Sequence, residues 1–237
     1  MLYATRQRAA LVLRSACAVF LEVSKKRVFK RTWAFVSRKR ERRTMSVIEK
    51  EIAFVLEVDK LKNIVRKSRN VSNDRYENDA EHSWHICIMA ITLEAYANSP
   101  VDLGKVLRML IVHDLGEIES GDIIVYNKNS ADLKNELESA DRLFSILETP
   151  QHEEFYSLLK EFEARETNES RYANAIDRME PILQNIHRNG ETWKKNNIGY
   201  KRIVEMNQKK ISEGSIELWR YLTRQIDQMN QKGLIEK

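Results

Sequence analysis

The chain has 237 residues, 42% hydrophobic and 32% charged, with only 7 Gly and 3 Pro. That length suits one domain with or without an appendage, and so few turn-formers exclude all-β sandwiches and barrels, collagen-like chains and disordered chains. Cys17 and Cys87 form no CxxC pair, so there is no disulfide framework or thiolate zinc site, and a reducing, cytoplasmic compartment is expected. No apolar run reaches the roughly 18 residues of a membrane-spanning helix.

The net charge of +5 is unevenly placed. Residues 1–44 carry 13 Lys and Arg against Glu22 and Glu41, a net of +11, and residues 45–237 carry a net of −6. The basicity belongs to an N-terminal extension, and the mildly acidic body argues against nucleic acid as a partner. The 1–44 segment reads in three ways: an Arg-rich targeting peptide, a basic arm with Trp33 and Phe35 among its charges, or a start assigned upstream of Met45. The abrupt change of composition at Arg42-Arg43-Thr44-Met45 favours the last.

From Met45 onward the pattern predicts helices nearly throughout. Ile48, Ile52, Val55, Leu56, Leu61 and Ile64 recur at helical steps, giving an amphipathic helix to about Val65 closed by Arg66. Residues 66–79 are polar and turn-rich, hence a loop. Asp79 reads as the N-cap of a second helix whose apolar run from Trp84 to Leu93 predicts the buried central helix. Further helices are expected over 102–114, 131–148, 151–165, 169–186, 199–209 and 215–231, with a loop at 116–130 and a break at Gly190. No stretch alternates with period two. The expected class is all-α, with one domain over 45–237.

The chemistry-bearing residues are scattered metal-type ligands. His113 and Asp114 close an apolar helix, VLRMLIVHDLGEI, where an unpartnered charged Asp would be costly to bury and a cation would resolve the cost. A satisfied core histidine beside a helix-end carboxylate is the bland alternative. His82 lies upstream and Asp177 downstream in RYANAIDRMEP. Two imidazoles and two carboxylates suit Mn²⁺, Co²⁺, Mg²⁺ or Zn²⁺ at a hydrolytic centre. Glu117 follows His113 by four residues and Asp114 by three, so a continuing helix places it on their face.

The order H…HD…D resembles the HD-domain metal-dependent phosphohydrolase superfamily. The stretches RYENDAEHSWHICIMA, VLRMLIVHDLGEIESGDI and ANAIDRMEP are similar to its branch of 5′-deoxynucleotidases and bacterial relatives, over about residues 48–235. The resemblance implies a helical bundle with His82, His113, Asp114 and Asp177 holding one divalent metal ion. It makes Glu117 a proton-handling carboxylate for the attacking water. Asp122 becomes a contact to the sugar or a proton donor to the leaving group, and Arg66 a phosphate-binding residue. The branch usually places a tryptophan close to this arginine, whereas Lys67-Ser68 follow here. His85, three residues after His82, reads as structural or as support for a ligand, and His152 and His187 as exposed. The lack of additional histidines between Asp114 and Asp177 beyond His152 favours a mononuclear site.

The implied activity is a phosphomonoesterase acting on (deoxy)nucleoside 5′-monophosphates, in a homodimer. Two alternatives stay open: an HD hydrolase of nucleoside triphosphates or guanosine polyphosphate alarmones, and a non-enzymatic helical interaction protein. A scaffold gives no reason to keep His82, His113-Asp114, Glu117, Asp122 and Asp177 together.

Overall fold

The computed structural model describes residues 45–235, and the expectations attached to residues 1–44 lie outside that range. Helix α1 (Val47–Val58) opens on a capping box in which the Ser46 hydroxyl accepts from the Glu49 amide and Glu49 reaches back to the Ser46 amide. It stops seven residues short of the expected end. The chain tightens into a 3₁₀ turn (Asp59–Asn63) and then forms β1 (Val65–Arg69), antiparallel to β2 (Tyr76–Asn78). The expected polar loop over 66–79 is therefore a hairpin, and Arg66 sits on a strand rather than at a helix end.

The hairpin escaped the hydrophobic pattern because its inward face is polar. On β1 the side chains that turn inward are Arg66 and Ser68, whereas Val65 and Lys67 face out. Polar clamps hold it against the body. The Arg188 guanidinium donates to the carbonyls of Asn70 and Asn73 and to Asp74, and Arg69 pairs with Glu191 at 3.0 Å. Lys195 of the following helix donates to the Tyr76 hydroxyl at 2.7 Å.

Asn78, not Asp79, caps α2 (Asp79–Leu93), sharing a capping box with Glu81. Asp79 is the first helical residue and is wholly buried. Helix α3 (Leu103–Val112), capped by Asp102, leads into a tight turn and the one-turn α4 (Glu117–Ser120). Then come α5 (Ser130–Phe144), α6 (Thr149–Ala164), α7 (Asn168–His187), α8 (Glu191–Lys195), α9 (Tyr200–Gly214) and α10 (Ile216–Gln231). Apart from the hairpin, the described residues form an all-α fold, and none of their helices is long and apolar enough to cross a membrane.

The central helix is α7, not α2. It packs against α2, α3, α6, α9 and α10 and buries Tyr172, Ala173, Ala175, Ile176, Met179 and Ile182. Helix α2 is apolar on both sides but buries only one, leaving Trp84 66%, Ile88 45% and Ile91 49% exposed. Sequence hydropathy found α7 but missed its central position because it also buries Asn174, Glu180, Gln184 and Asn185, which lower its apolar signal while serving the site and the loops around it.

Close approach of α9 to α7 rests on Gly214. A Cβ there would lie 2.7 Å from the Ala175 Cβ and would press on the Arg171 carbonyl. Gly214→Ala should therefore force the helices apart and destabilise the fold by about 1–3 kcal/mol, lowering Tm by roughly 2–4 °C per kcal/mol. Thermal denaturation followed by circular dichroism measures this, and an unchanged Tm would show that the crossing tolerates a methyl group.

Candidate metal centre

Three elements bring the four expected ligands together: the first turn of α2 (His82), the turn after α3 (His113, Asp114) and the middle of α7 (Asp177). The Nε2 of His82 is 3.0 Å from the Asp177 carboxylate and 4.0 Å from that of Asp114. The Nε2 of His113 is 3.0 Å from Asp114 and 3.6 Å from Asp177. Ligand atoms of His82, His113 and Asp114 all lie within 4.8 Å of one another. All four side chains are largely shielded from solvent, His82 completely.

The tautomers fit a cation. His113 Nδ1 donates to the Leu110 carbonyl at 2.8 Å, which leaves its Nε2 as a buried lone pair with no hydrogen-bond partner. The Nδ1 of His82 faces Glu180 at 3.4 Å and Glu77 at 3.8 Å, so a proton held there turns the Nε2 lone pair toward Asp177. Two imidazole lone pairs and two carboxylates facing one another repel unless a positive charge sits between them. A divalent cation satisfies this donor set, and protons take its place when it is absent.

Titration behaviour follows. Burial and Arg66 both pull His82 down, but hydrogen bonds to Asp177 and Glu180 outweigh them and carry the ring up to about 9. His113 is likewise raised well above the ordinary imidazole range, against burial, by Asp114 and Asp177. Burial pushes Asp114 and Asp177 up, yet the two imidazoles hold both carboxyls well below the usual range.

Around this core lies an acidic ring gathered by Arg66, whose Nη1 is 3.1 Å from both Asp79 and Asp114 and 3.9 Å from Asp122. Its Nε is 3.6 Å from Glu77. Glu117 clusters with Asp79 and Asp122 within 4.8 Å. Glu117 reaches the site, but not by the continued helix expected from its spacing. After Val112 the backbone bonds shorten to steps of three residues (Leu115 to Val112, Glu117 to Asp114), and α4 begins afresh. Gly116 sits in that turn because a Cβ would collide with the Glu136 carbonyl of α5. Burial and the charges of Asp114 and Asp79 push Glu117 up to about 11, and burial also raises Asp122.

All seven expected site residues thus converge. Asp79, Glu77 and Glu180 were not among them. Asp79 looked like a helix cap and Glu77 like a loop charge, and only the hairpin shows that both face inward. Glu180 had a legible signal, since it stands three residues after Asp177 and shares its helix face. His85 meets Glu180 at 3.3 Å, in keeping with a supporting role. His187 is exposed as expected, but His152 is half-buried and meets Asp141 at 2.8 Å. A cleft opens over the centre, lined by Arg66, Asp114, Glu117, Asp122, Asp177 and the α4–α5 loop.

The raised imidazole fixes the sign of a pH effect. Stability contributed by His82 is complete below its unfolded value of about 6.5 and is lost as pH rises through about 9. Glu77, raised to about 7 by burial and Glu180, adds a loss in the same direction between its unfolded value and pH 7. Chelator-treated protein should lose Tm steadily from pH 6.5 to 9, whereas divalent-cation-loaded protein should show a flatter profile. A chelated protein whose Tm holds or climbs over that window would contradict the assigned charges.

A family model described as HD domain matches residues 58–219. The 5′-deoxynucleotidase HDDC2 of Dictyostelium discoideum is 29% identical over 116 residues, 46% of this chain and 60% of that protein. The human 5′-deoxynucleotidase HDDC2 is 26% identical over 138 residues, 56% of this chain and 65% of that protein. The chain thus matches less than two thirds of the length of either. The crystal structure of a predicted metal-dependent phosphohydrolase from Magnetospirillum magnetotacticum MS-1 superposes with a TM-score of 0.77 at 38% identity, covering 81% of this chain and 97% of that one. The H…HD…D residues meet in one buried centre within a fold and sequence of that kind, and the chain belongs to the HD-domain metal-dependent phosphohydrolase superfamily.

Proposed function

We propose that the chain is a phosphomonoesterase that releases phosphate from (deoxy)nucleoside 5′-monophosphates, using one divalent ion (Mn²⁺, Co²⁺, Mg²⁺ or Zn²⁺) held by His82, His113, Asp114 and Asp177. The observation that carries this reading is the buried His113 Nε2, which has no hydrogen-bond partner and faces two carboxylates beside a cleft. Likeness to the two HDDC2 proteins supports the nucleotide substrate.

When bound, the ion supplies Lewis-acid charge to the phosphoryl oxygens and the attacking water. The remaining work falls to the side chains. Arg66 offsets phosphate charge and keeps the surrounding carboxylates ionised near one another. Glu117 is a neutral acid in the ion-free protein. Burial first, and then Asp114 and Asp79, hold it so; with an ion in the four-residue site Glu117 would ionise and take the proton of the water as the water oxygen bonds to phosphorus. As the bond from phosphorus to the 5′-oxygen breaks, that oxygen leaves with a proton from Asp122, which burial raises above the ordinary carboxyl value. With the ion held, His82 and His113 would offer their Nε2 atoms as neutral ligands, their Nδ1 protons directed toward Glu180 and the Leu110 carbonyl.

The homodimer belongs to this proposal. Exposed apolar stripes on α1 (Ile48, Ile52, Val55) and α2 (Trp84, Ile88, Ile91) follow helical spacing and favour burial against a second copy. Trp84→Glu should convert a dimer to monomer in light scattering, and a wild-type monomer would remove the dimer from the reading.

Phosphate release measured across nucleoside mono-, di- and triphosphates with each of the four ions tests the activity. Monophosphates should be preferred, and release confined to triphosphates would overturn the monoesterase. Glu117→Gln should lower kcat by about 10²–10⁴-fold with metal content unchanged, whereas Asp114→Ala should lose both metal and activity. Near-normal kcat in Glu117→Gln would return the proton transfer to Asp122.

A further inference from the structure

Directly after the ligand Asp177, α7 carries a second arginine that the sequence patterns did not single out. Arg178 lines the same cleft as Arg66, Asp114, Glu117 and Asp177. Its Nε and Nη1 are buried and have no hydrogen-bond partner, and among the described residues no carboxylate comes within ion-pair distance of it. Burial pulls the guanidinium down; Asp177 and Glu163 are near enough to attract it but not to pair with it, and Arg165 repels it. A buried guanidinium with free donors is costly, and an anion with several acceptor oxygens removes the cost.

Arg66 differs. Its Nη1 is shared between Asp79 and Asp114, and Glu77 and Asp122 stand nearby, although its Nε also has no hydrogen-bond partner. The cleft therefore holds one arginine ion-paired with carboxylates and one with no ion pair among the described residues.

We propose that Arg178 is a phosphate-binding residue of the cleft, its buried Nε and Nη1 donating to the phosphoryl oxygens of the substrate and of the phosphate product. The guanidinium fork matches two phosphoryl oxygens, and the neighbouring ligand set places the phosphoester within the same cleft. This assignment rests on the phosphohydrolase reading for the identity of the anion, but the free donors exist without it.

The test uses inorganic phosphate as the probe on the full chain loaded with Mn²⁺. Calorimetric titration should show phosphate binding to the wild type and affinity about 10–100-fold weaker in Arg178→Met, the loss of one or two charge-assisted hydrogen bonds. Met keeps the volume of the stem and removes an unpaired buried charge, so Tm should hold or rise, whereas a structural arginine would make it fall. Arg178→Lys, which keeps the charge without the fork, should fall between the two in affinity and covers the case of a poorly folded Met variant. Mn²⁺ content should be the same in all three. Phosphate affinity within twofold of wild type in both variants, or no phosphate binding by the wild type, overturns the proposal. A wild type that binds phosphate through Arg178 but hydrolyses no nucleotide defeats the monoesterase reading alone, and an active enzyme with undiminished phosphate affinity in both variants defeats this assignment alone.

Discussion

Two imidazole nitrogens and two carboxylates are forced into one water-poor space, and much of the local structure answers that constraint. His82 Nε2 and the Asp177 carboxylate stand 3.0 Å apart, a spacing that is repulsive unless a proton or a cation lies between them. The surrounding elements keep them there. The Leu110 carbonyl accepts from His113 Nδ1 and Glu180 faces His82 Nδ1 at 3.4 Å, so the Nε2 atoms of both histidines are turned inward. Any loss of that outer support would free the rings to turn away, which makes Glu180 part of the centre although it offers no atom to it.

Charge balance accounts for the next shell. Glu77, Asp79, Asp114, Asp122 and Asp177 would repel one another if all were ionised without compensation, and Arg66 is the guanidinium that pairs with the first four. That explains why a two-stranded hairpin interrupts an otherwise helical fold. A strand turns alternate side chains to one face, so β1 delivers Arg66 inward while its neighbours stay in solvent. The Arg188 clamp at the hairpin tip, working from the end of α7, ties the strand to the same helix that carries Asp177. Position of the guanidinium and position of the carboxylate thereby depend on one element.

Helix α7 serves two purposes that pull its composition in opposite directions. Its burial contributes core area through Tyr172, Ile176 and Met179, while Asp177, Arg178, Glu180 and Asn185 bring polar chemistry into the interior. Each buried polar group there must find a partner or a ligand. Asn185 accepts from the amides of Thr192 and Trp193, and Glu180 meets two histidines. Arg178 has no such partner, and this sets it apart from its neighbours on the helix.

Helical periodicity, caps and the spacing of His82, His113-Asp114 and Asp177 made the fold class, the number of long helices and the metal-type ligand set legible before any coordinates. Those features are local or carry rare residue types, and an α-helix imposes a period that a single chain displays. Tertiary structure decided the rest. The hairpin over 65–78 has no apolar alternation, so its pairing with β2 and the inward turn of Arg66 could arise only from contacts with α7 and α8. The rank of α7 over α2 as central helix likewise depended on neighbours, since hydropathy records what a face can bury and not what comes to cover it. Whether a given arginine is spent on carboxylates, as Arg66 is, or left with free donors, as Arg178 is, has no signature in one dimension, because it is a property of distances between residues far apart in the chain.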